Sequence, residues 1–240
     1  MIEVSNLSKH FGSKTVVNNL SFTVKKGEVL GFLGPNGAGK STTMRMVTGF
    51  ISPSSGDAKI CGTSVIDHPK QAKSHIGYLP ESAPLYNDMT VRDFLKFCAS
   101  MRGLRGKAGK TAVDASIETC FLENVAPQSI GTLSKGYRHR TCLAQALLHD
   151  PDVLILDEPT DGLDPNQKYE VRQLIKRLGE TKAILFSTHI LEEVDAACTR
   201  ALIIDQGNIV ADGTPSELRQ QSGTDSLQDL FRNLTTKETE

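Results

Sequence analysis

Paired cysteines, long apolar runs and a strong net charge are all missing from this sequence. Its five cysteines, at positions 61, 98, 120, 142 and 198, stand singly, with no CxxC pair and no close Cys/His cluster. This pattern excludes a disulfide framework and the usual cysteine-based metal motifs. We expect reduced thiols in a cytosolic protein, most of them packed as small apolar side chains.

The same composition disfavours membrane-spanning and nucleic-acid-binding proteins. No apolar run approaches the roughly 18 residues that a membrane-spanning helix needs, and residues 1–5 (MIEVS) lack the basic and apolar regions of a signal peptide. The formal net charge is −1, from 27 Lys and Arg against 28 Asp and Glu, so no overall field attracts nucleic acid or an acidic membrane. A chain of 240 residues fits one α/β domain with a small inserted lobe.

A glycine-rich segment at residues 34–41 (GPNGAGKS) is typical of a phosphate-binding loop. It follows a short apolar strand at 28–33 and precedes a predicted helix at 40–48, which is the context that such a loop requires. Glycines let backbone N–H groups turn inward around phosphate oxygens, and the helix adds its positive N-terminal end. Lys40 is then expected to contact the β- and γ-phosphates, and the Ser41 hydroxyl to bind Mg²⁺.

Acidic and imidazole side chains follow two later apolar strands. Asp157 and Glu158 end the run at 153–156, and His189 follows the run at 183–186. Ligands collect at the carboxyl ends of parallel strands, so we predict that one carboxylate of this pair holds Mg²⁺ and the other polarises the attacking water, while His189 hydrogen-bonds the γ-phosphate and that water. An ordinary acidic loop before Pro159 and a structural histidine are the alternatives.

A second candidate phosphate element lies at residues 133–137 (LSKGY). Ser134 is a good N-cap for a helix that begins near Lys135, and capping alone would explain it. The same geometry presents free N–H groups, the Ser134 hydroxyl and Gly136 to an anion. Because one nucleotide needs only the first loop, the second element predicts a dimer in which each subunit completes its partner's site.

Three regions are predicted from the change of pattern along the chain. Residues 1–80 and 151–214 form a nucleotide-binding core, which starts with an antiparallel β region turning at 12–14. Residues 81–150 form a helical lobe, with a capped helix start at Thr90, helices near 112–123 and 135–149, and a basic loop containing Arg102, Arg105, Lys107 and Lys110. A solvated loop is the default for those four residues, and a membrane or partner contact is the alternative. Residues 215–240 form a tail whose apolar patch (Leu227, Leu230, Phe231 and Leu234) could dock as a short helix.

Together these motifs resemble the ATP-binding subunit of ABC transporters over about residues 2–234. By resemblance, 34–41 is the Walker A motif, 153–158 the Walker B, 133–137 the signature, 162–164 the D-loop and His189 the switch histidine. The resemblance implies an α/β P-loop NTPase core, with ATP and Mg²⁺ as its ligands. Phe11 sits where the family places the aromatic ring that stacks on adenine, although it could equally be a core residue. The implied nucleotide contacts are Phe11, Gly34, Pro35, Asn36, Gly37, Ala38, Gly39, Lys40, Ser41, Thr42, Ser134, Lys135, Gly136, Tyr137 and Asp164; the implied metal contacts are Ser41, Glu81 and Asp157.

Two departures from the family pattern favour one branch. Glu81 stands where the family usually has Gln, which adds a negative charge near Asp157 and Glu158. The signature has Lys135 and Tyr137 in place of Gly and Gln, and Lys135 could add favourable charge toward phosphate. With the segment 226–231 (SLQDLF), these features resemble ATPases of type-2 exporter permeases, including multidrug-like and gliding-motility-associated systems.

The resemblance implies a cycle in which two subunits close around two ATP molecules and move a membrane permease. In that cycle Glu158 activates water, His189 orients it, and hydrolysis lets the dimer reopen. Since this chain has no predicted membrane span, the permease is expected to be a separate polypeptide, with the ATPase a homodimer or heterodimer on the cytoplasmic face of the membrane. A complex that performs mechanical or regulatory work without cargo is one alternative. A soluble ATP-driven clamp on ribosomes or DNA is another, although such relatives generally carry fused modules or basic extensions, which this sequence does not show.

Overall fold

Two β-sheets and a group of helices make up the computed structural model, which describes residues 1–82, 84–224 and 226–235. A four-stranded sheet has the order β2-β1-β4-β5, and a six-stranded sheet has the order β10-β9-β3-β8-β7-β6. The predicted tail residues 225 and 236–240, and residue 83 of the predicted lobe, lie outside the described residues. Within the described ranges, no helix is both long and apolar enough to cross a bilayer.

The four-stranded sheet is antiparallel. Its strands are β1 (Ile2–Phe11), β2 (Lys14–Val24), β4 (Ser55–Ile60) and β5 (Thr63–Ser64). The pair β1–β2 confirms the antiparallel region predicted around a turn at 12–14. Strand β4 was not predicted because its sequence, SGDAKI, contains few of the β-branched and aromatic residues that mark a strand.

The six-stranded sheet carries the buried parallel strands of the core. Its strands are β3 (Val29–Leu33), β6 (Ile76–Leu79), β7 (Val153–Asp157), β8 (Ala183–Thr188), β9 (Arg200–Asp205) and β10 (Asn208–Gly213). Strands β3 and β6 to β9 pair in parallel, and β10 returns antiparallel to β9. Both faces of the parallel strands are covered, which is why they are continuous apolar runs in the sequence.

Nine α-helices and two short 3₁₀ helices, Glu123–Val125 and Ile130–Thr132, are assigned within the described residues. The α-helices follow in chain order. They are α1 (Lys40–Val47), α2 (Pro69–Ser74), α3 (Val91–Met101), α4 (Gly106–Thr119), α5 (Lys135–Leu147), α6 (Pro165–Gly179), α7 (Leu191–Ala197), α8 (Pro215–Gln221) and α9 (Leu227–Thr235). Thr90 caps α3 by accepting a hydrogen bond from the Asp93 N–H at 3.1 Å, as its sequence predicts.

Helix α4 corrects the prediction of a basic loop. It begins at Gly106, six residues before the predicted start at 112, so Lys107 and Lys110 lie on a helix. The glycines at 106 and 109 favour a loop by local propensity, but Val113 and Ile117 bury the helix in the core that it shares with α3 and α5. Tertiary packing therefore overrides propensity in this segment.

The tail docks onto the core as predicted. Leu227 and Leu230 of α9 are buried against Leu33, Ile203 and Leu218, with Phe231 and Leu234 partly buried beside them.

Candidate nucleotide-binding site

The candidate site lies where β3, β7 and β8 end. These strands are parallel neighbours, so their carboxyl ends meet at one edge of the sheet. A cleft of about 280 Å³ opens there, and it is lined by the glycine-rich loop and by two carboxylates. Its lining residues are Val16, Asn36, Gly37, Gly39, Lys40, Ser41, Thr42, Glu81 and Glu158.

The loop between β3 and α1 has the backbone conformation that a phosphate-binding loop needs. Gly39 has φ +104°, and a Cβ there would lie 2.7 Å from the Val16 carbonyl oxygen. A larger residue at 39 would therefore both strain the backbone and collide with a neighbour. Helix α1 begins at the next residue, so its N-terminal N–H groups face the cleft.

Lys40 is held inside the loop. Its ammonium donates hydrogen bonds to the carbonyl oxygens of Gly34 at 2.7 Å and Pro35 at 3.1 Å, and the side chain is buried. Burial lowers the pKa of Lys40, while the carboxylates of Glu158, Asp157 and Glu81 oppose that shift. A phosphate in the cleft would give this partly desolvated cation a stronger partner than two neutral carbonyls.

Asp157 is positioned by hydroxyl groups on two different elements. Its Oδ1 accepts hydrogen bonds from Ser187 Oγ at 2.5 Å and from Ser41 Oγ at 3.2 Å. Its Oδ2 is buried and has no hydrogen-bond partner among the described residues. A buried carboxylate oxygen without a partner is costly, and an oxygen-preferring cation would satisfy it. The residues therefore fit Mg²⁺.

Glu158, which lines the cleft, lies within hydrogen-bond distance of His189. Glu158 has φ +51°, an uncommon conformation for a residue other than glycine. Its N–H donates to Ser187 Oγ at 3.0 Å, and its Oε1 lies 3.2 Å from His189 Nδ1. The Glu158 side chain is 17% exposed, so the carboxylate is reachable by water and can accept a proton, while the imidazole holds its orientation.

Glu81 and Phe11 are two further predicted contacts. Glu81 lines the same cleft as Lys40 and Ser41. Phe11 ends β1 and is 53% exposed, with the Lys9 ammonium 5.1 Å from its ring centre. An exposed ring is available for stacking, so the alternative of a core phenylalanine is not supported.

The second phosphate element lies apart from this cleft. Among the described residues lining the cleft, none belongs to 133–137. Ser134 caps α5 by accepting a hydrogen bond from the Tyr137 N–H at 3.4 Å, and Gly136 is so close to Gln167 that a Cβ would lie 2.3 Å from Gln167 Oε1. The two elements therefore do not converge on one nucleotide within a single chain.

Two acidic side chains form hydrogen bonds near the signature (residues 133–137) and in the D-loop (residues 162–164). The Lys135 ammonium lies 2.6 Å from Asp161 Oδ2, and this hydrogen bond lowers the pKa of Asp161. Asp164 caps α6, its carboxylate accepting a hydrogen bond from the Gln167 N–H at 2.9 Å. In this structure the Lys135 ammonium thus contacts a carboxylate of its own chain. The sequence predicted that Lys135 adds favourable charge toward phosphate.

The family model described as ABC transporter matches residues 17–161, more than half of the chain. The chain belongs to the ABC transporter family. Within that family it is an ATP-binding subunit, and this ABC subunit is an ATPase.

Similar proteins agree with that assignment. The chain is 40% identical to the Nod factor export ATP-binding protein I of Burkholderia lata over 229 residues, 95% of the chain and 75% of that protein. It is 39% identical to the linearmycin resistance ATP-binding protein LnrL of Bacillus subtilis over 232 residues, 96% of the chain and 74% of that protein. A solved ATP-binding subunit of an ABC transporter superposes with a TM-score of 0.89 at 30% identity, covering 98% of the chain and 100% of that structure.

Sequence reasoning missed the role of Ser187 in this ABC subunit. Ser187 bonds both Asp157 and the backbone of Glu158, which makes it the residue that joins the two carboxylates. The available signal was its place directly after the apolar run at 183–186, the run that follows the one ending at Asp157.

Proposed function

We propose that this ATPase powers export through a separate type-2 exporter permease at the cytoplasmic face of the membrane. The observation that carries the proposal is one cleft lined by Lys40, Ser41 and Glu158. Asp157 accepts a hydrogen bond from Ser41, and His189 lies beside Glu158. The relatives named for Nod factor export and linearmycin resistance support export as the direction. Glu81, Lys135 and Tyr137, which mark the exporter-like branch, support it independently.

Each residue of the cleft has a role in this proposal. The glycine-rich loop and Thr42 surround the phosphates, Lys40 neutralises the β- and γ-phosphates, and Phe11 stacks on adenine. Ser41, Asp157 and Glu81 are the candidates to hold Mg²⁺, which when bound would offset the charge on the phosphate oxygens. Glu158 accepts a proton from the attacking water, and His189 orients Glu158 and that water.

The signature acts on the nucleotide of a second subunit in this proposal. Ser134, Lys135, Gly136 and Tyr137 lie outside the cleft of their own chain, which supports a shared site between two subunits. Lys135 would exchange Asp161 for a phosphate when the subunits close, and Asp164 would approach the interface at the start of α6. The partner subunit is a second copy or a related ATPase.

The permease docks on the helical lobe in this proposal. Tyr86, Phe97 and Met101 are exposed by 56%, 41% and 74%, and the Tyr86 and Phe97 rings meet edge to face at 5.7 Å. An exposed apolar patch of this kind typically marks a protein interface. Residues 84–90 connect the patch to Glu81 in the cleft, so closure around ATP would move the docking surface.

Co-expression with the membrane protein encoded beside this chain tests the proposal. We expect the chain to co-purify with that permease, and Phe97→Asp to weaken the association. Tyr169→Asp, an equally drastic change on an exposed α6 residue, should leave it unchanged. In inside-out vesicles containing the complex, ATP should drive uptake of a fluorescent amphiphile, and Glu158→Gln should abolish it.

Three results would contradict the proposal in different ways. Failure to associate with any membrane protein would indicate a soluble clamp. ATP turnover in the complex without uptake of any probe from an amphiphile panel would indicate a mechanical or regulatory output. Uptake that persists in Glu158→Gln would show that hydrolysis by this site does not drive transport.

A further inference from the structure

A second group of ligand-type side chains lies at the end of the core sheet opposite the nucleotide cleft. Cys61 is the first residue of the two-residue turn between β4 and β5, His75 follows α2, and Asp152 precedes β7. One donor atom from each side chain lies within 4.8 Å of the donor atoms of the other two. The sequence shows no close Cys/His pair, but the fold brings together three residues from separate elements.

Backbone hydrogen bonds fix the three residues in place. The Cys61 N–H donates to the Met1 carbonyl oxygen at 2.7 Å, the Val153 N–H to the His75 carbonyl oxygen at 3.1 Å, and the Ala183 N–H to the Asp152 carbonyl oxygen at 3.1 Å. His75 Nδ1 lies 2.8 Å from Asp152 Oδ2. The backbone is therefore held in position, and ligand binding would require only side-chain movement.

The turn at Cys61 has a conformation that does not favour cysteine. Cys61 has φ +51° and Gly62 has φ +80°, as in a type I′ hairpin turn, where Asn, Asp or Gly is strongly preferred at the first position. A cysteine there carries strain on the order of 1–2 kcal/mol. Strain at a residue with a reactive side chain is a reason to look for a function.

We propose that Cys61, His75 and Asp152 form a Zn²⁺ site. Zn²⁺ binds sulfur, imidazole nitrogen and carboxylate oxygen in tetrahedral geometry, with donor atoms about 3.4 Å apart. Every donor pair lies within 4.8 Å, and His75 Nδ1 and Asp152 Oδ2 are 2.8 Å apart, so tetrahedral spacing requires shifts of about 1 Å, which partly exposed side chains can make. The His75 and Asp152 side chains are 36% and 51% exposed, which leaves the fourth position open to water.

Such an ion would connect the two sheets. Strands β6 and β7 begin beside His75 and Asp152, and they lead to Glu81 and to Asp157 with Glu158 at their other ends. Cys61 belongs to the antiparallel sheet. Zn²⁺ would thus connect the β4–β5 turn to the starts of both strands. The Zn²⁺ site lies about 15 Å along each strand from the nucleotide cleft, so it is independent of the proposed Mg²⁺ site.

Titration of the full chain with Co²⁺, a spectroscopic substitute for Zn²⁺, tests the site. Excess Mg²⁺ is included so that the carboxylates of the nucleotide cleft do not contribute. We expect one equivalent of Co²⁺ to bind with a thiolate-to-metal charge-transfer absorption, and Zn²⁺ to displace it. Cys61→Ser should lose that absorption, and His75→Ala should weaken binding by at least about tenfold.

Matched variants separate the site from adventitious binding. Cys98→Ser and His68→Ala change a thiol and an imidazole outside the cluster, so both should bind Co²⁺ like the original chain. The proposal is wrong if the original chain shows no charge-transfer absorption, if Cys61→Ser keeps it, or if Cys98→Ser loses it equally.

A measurement on the unmodified chain covers the case in which a variant fails to fold. Zn²⁺ should slow the alkylation of Cys61 by iodoacetamide by at least about tenfold, because a coordinated thiolate is withdrawn from reaction, and it should leave Cys98 unchanged. Equal rates at Cys61 with and without Zn²⁺ would overturn the proposal.

Discussion

Glu158 occupies a backbone conformation that separates it from the strand before it. Its φ of +51° turns the carboxylate away from β7 and toward His189. Asp157, one residue earlier, stays fully buried in the strand and faces Ser41 and Ser187. Two adjacent carboxylates thus meet different surroundings, which allows one to hold a cation and the other to accept a proton.

Replacing Glu158 by Gln should separate binding from hydrolysis. The amide keeps the shape of the side chain but cannot accept a proton, so we expect ATP binding to persist while turnover falls by about 10²–10⁴-fold. Steady-state phosphate release and equilibrium nucleotide binding measure the two effects. Glu118→Gln, an exposed change on α4, is the control, and undiminished turnover in Glu158→Gln would rule out the proposed base.

Ser187→Ala should affect both stability and catalysis. The change removes the hydroxyl that donates to Asp157 and accepts from the Glu158 N–H, so we expect a loss of about 1–3 kcal/mol in the free energy of unfolding. Loss of a hydrogen-bond partner behind Asp157, the proposed metal ligand, should also lower activity by about 10–100-fold.

Chemical denaturation and Mg²⁺-dependent ATPase assays measure these two effects. Ser116→Ala provides the comparison, since Ser116 is also buried but its hydroxyl donates to the Ala112 carbonyl oxygen of its own helix. Equal activity in the two variants would show that Ser187 does not position the carboxylates.

His149 should contribute a pH-dependent part of the stability. Burial, with a further contribution from the Arg102 guanidinium, lowers the pKa of His149 from 6.5 to about 4. Between pH 4 and pH 6.5 the unfolded chain therefore binds more protons than the folded chain. The contribution of neutral His149 to stability is complete above pH 6.5 and is lost as the pH falls toward 4. After allowance for solvent screening of a half-buried group, this loss is on the order of 1–2 kcal/mol.

Unfolding free energies of His149→Gln, measured at several pH values, test the direction of this pH dependence of stability. The variant should lose less stability than the original chain between pH 6.5 and pH 4, whereas His68→Gln, which changes an exposed histidine, should follow the original curve. A His149→Gln curve parallel to the original would contradict the assignment.

Among the secondary-structure elements, α9 shows how a short helix is stabilised by docking. Its nine residues, Leu227–Thr235, are too few for a stable isolated helix in water. Leu227 and Leu230 are buried against β9, α8 and Leu33, and this burial supplies the stability that helix propensity does not.

Leu230→Ala should therefore destabilise the protein by about 2–4 kcal/mol, through lost burial and the cavity left behind. Gln228→Ala, an exposed change on the same helix, should have almost no effect. Thermal unfolding and limited proteolysis near the tail measure the difference. Equal stability of the two variants would mean that α9 does not dock in solution.

For the whole molecule, the separation of the two phosphate elements is the feature with the widest consequence. The glycine-rich loop lies in one cleft, and Ser134 to Tyr137 lie outside it. ATP should therefore bind a single chain without the signature, whereas closure of two chains around ATP should require it.

Ser134→Asp should bind ATP as the original chain does but fail to dimerise on it, because a carboxylate at the signature would repel the γ-phosphate of the partner's nucleotide. The test is best made in the Glu158→Gln background with size-exclusion chromatography and equilibrium ATP binding. Ser100→Asp, an exposed change in the same lobe, should still dimerise. ATP-dependent dimers of the Ser134→Asp variant would contradict a role for the signature at the interface.

The residue pattern alone determined the α/β fold, the strands β7 to β9, the start of α1 and the nucleotide loop, because these depend on local spacing and on continuous buried runs. It did not determine which distant side chains meet. Ser187 with Asp157, Lys135 with Asp161, and His75 with Asp152 are 30, 26 and 77 residues apart. These contacts depend on which strands and loops become neighbours in the folded chain, and only the packing of the sheets decides that.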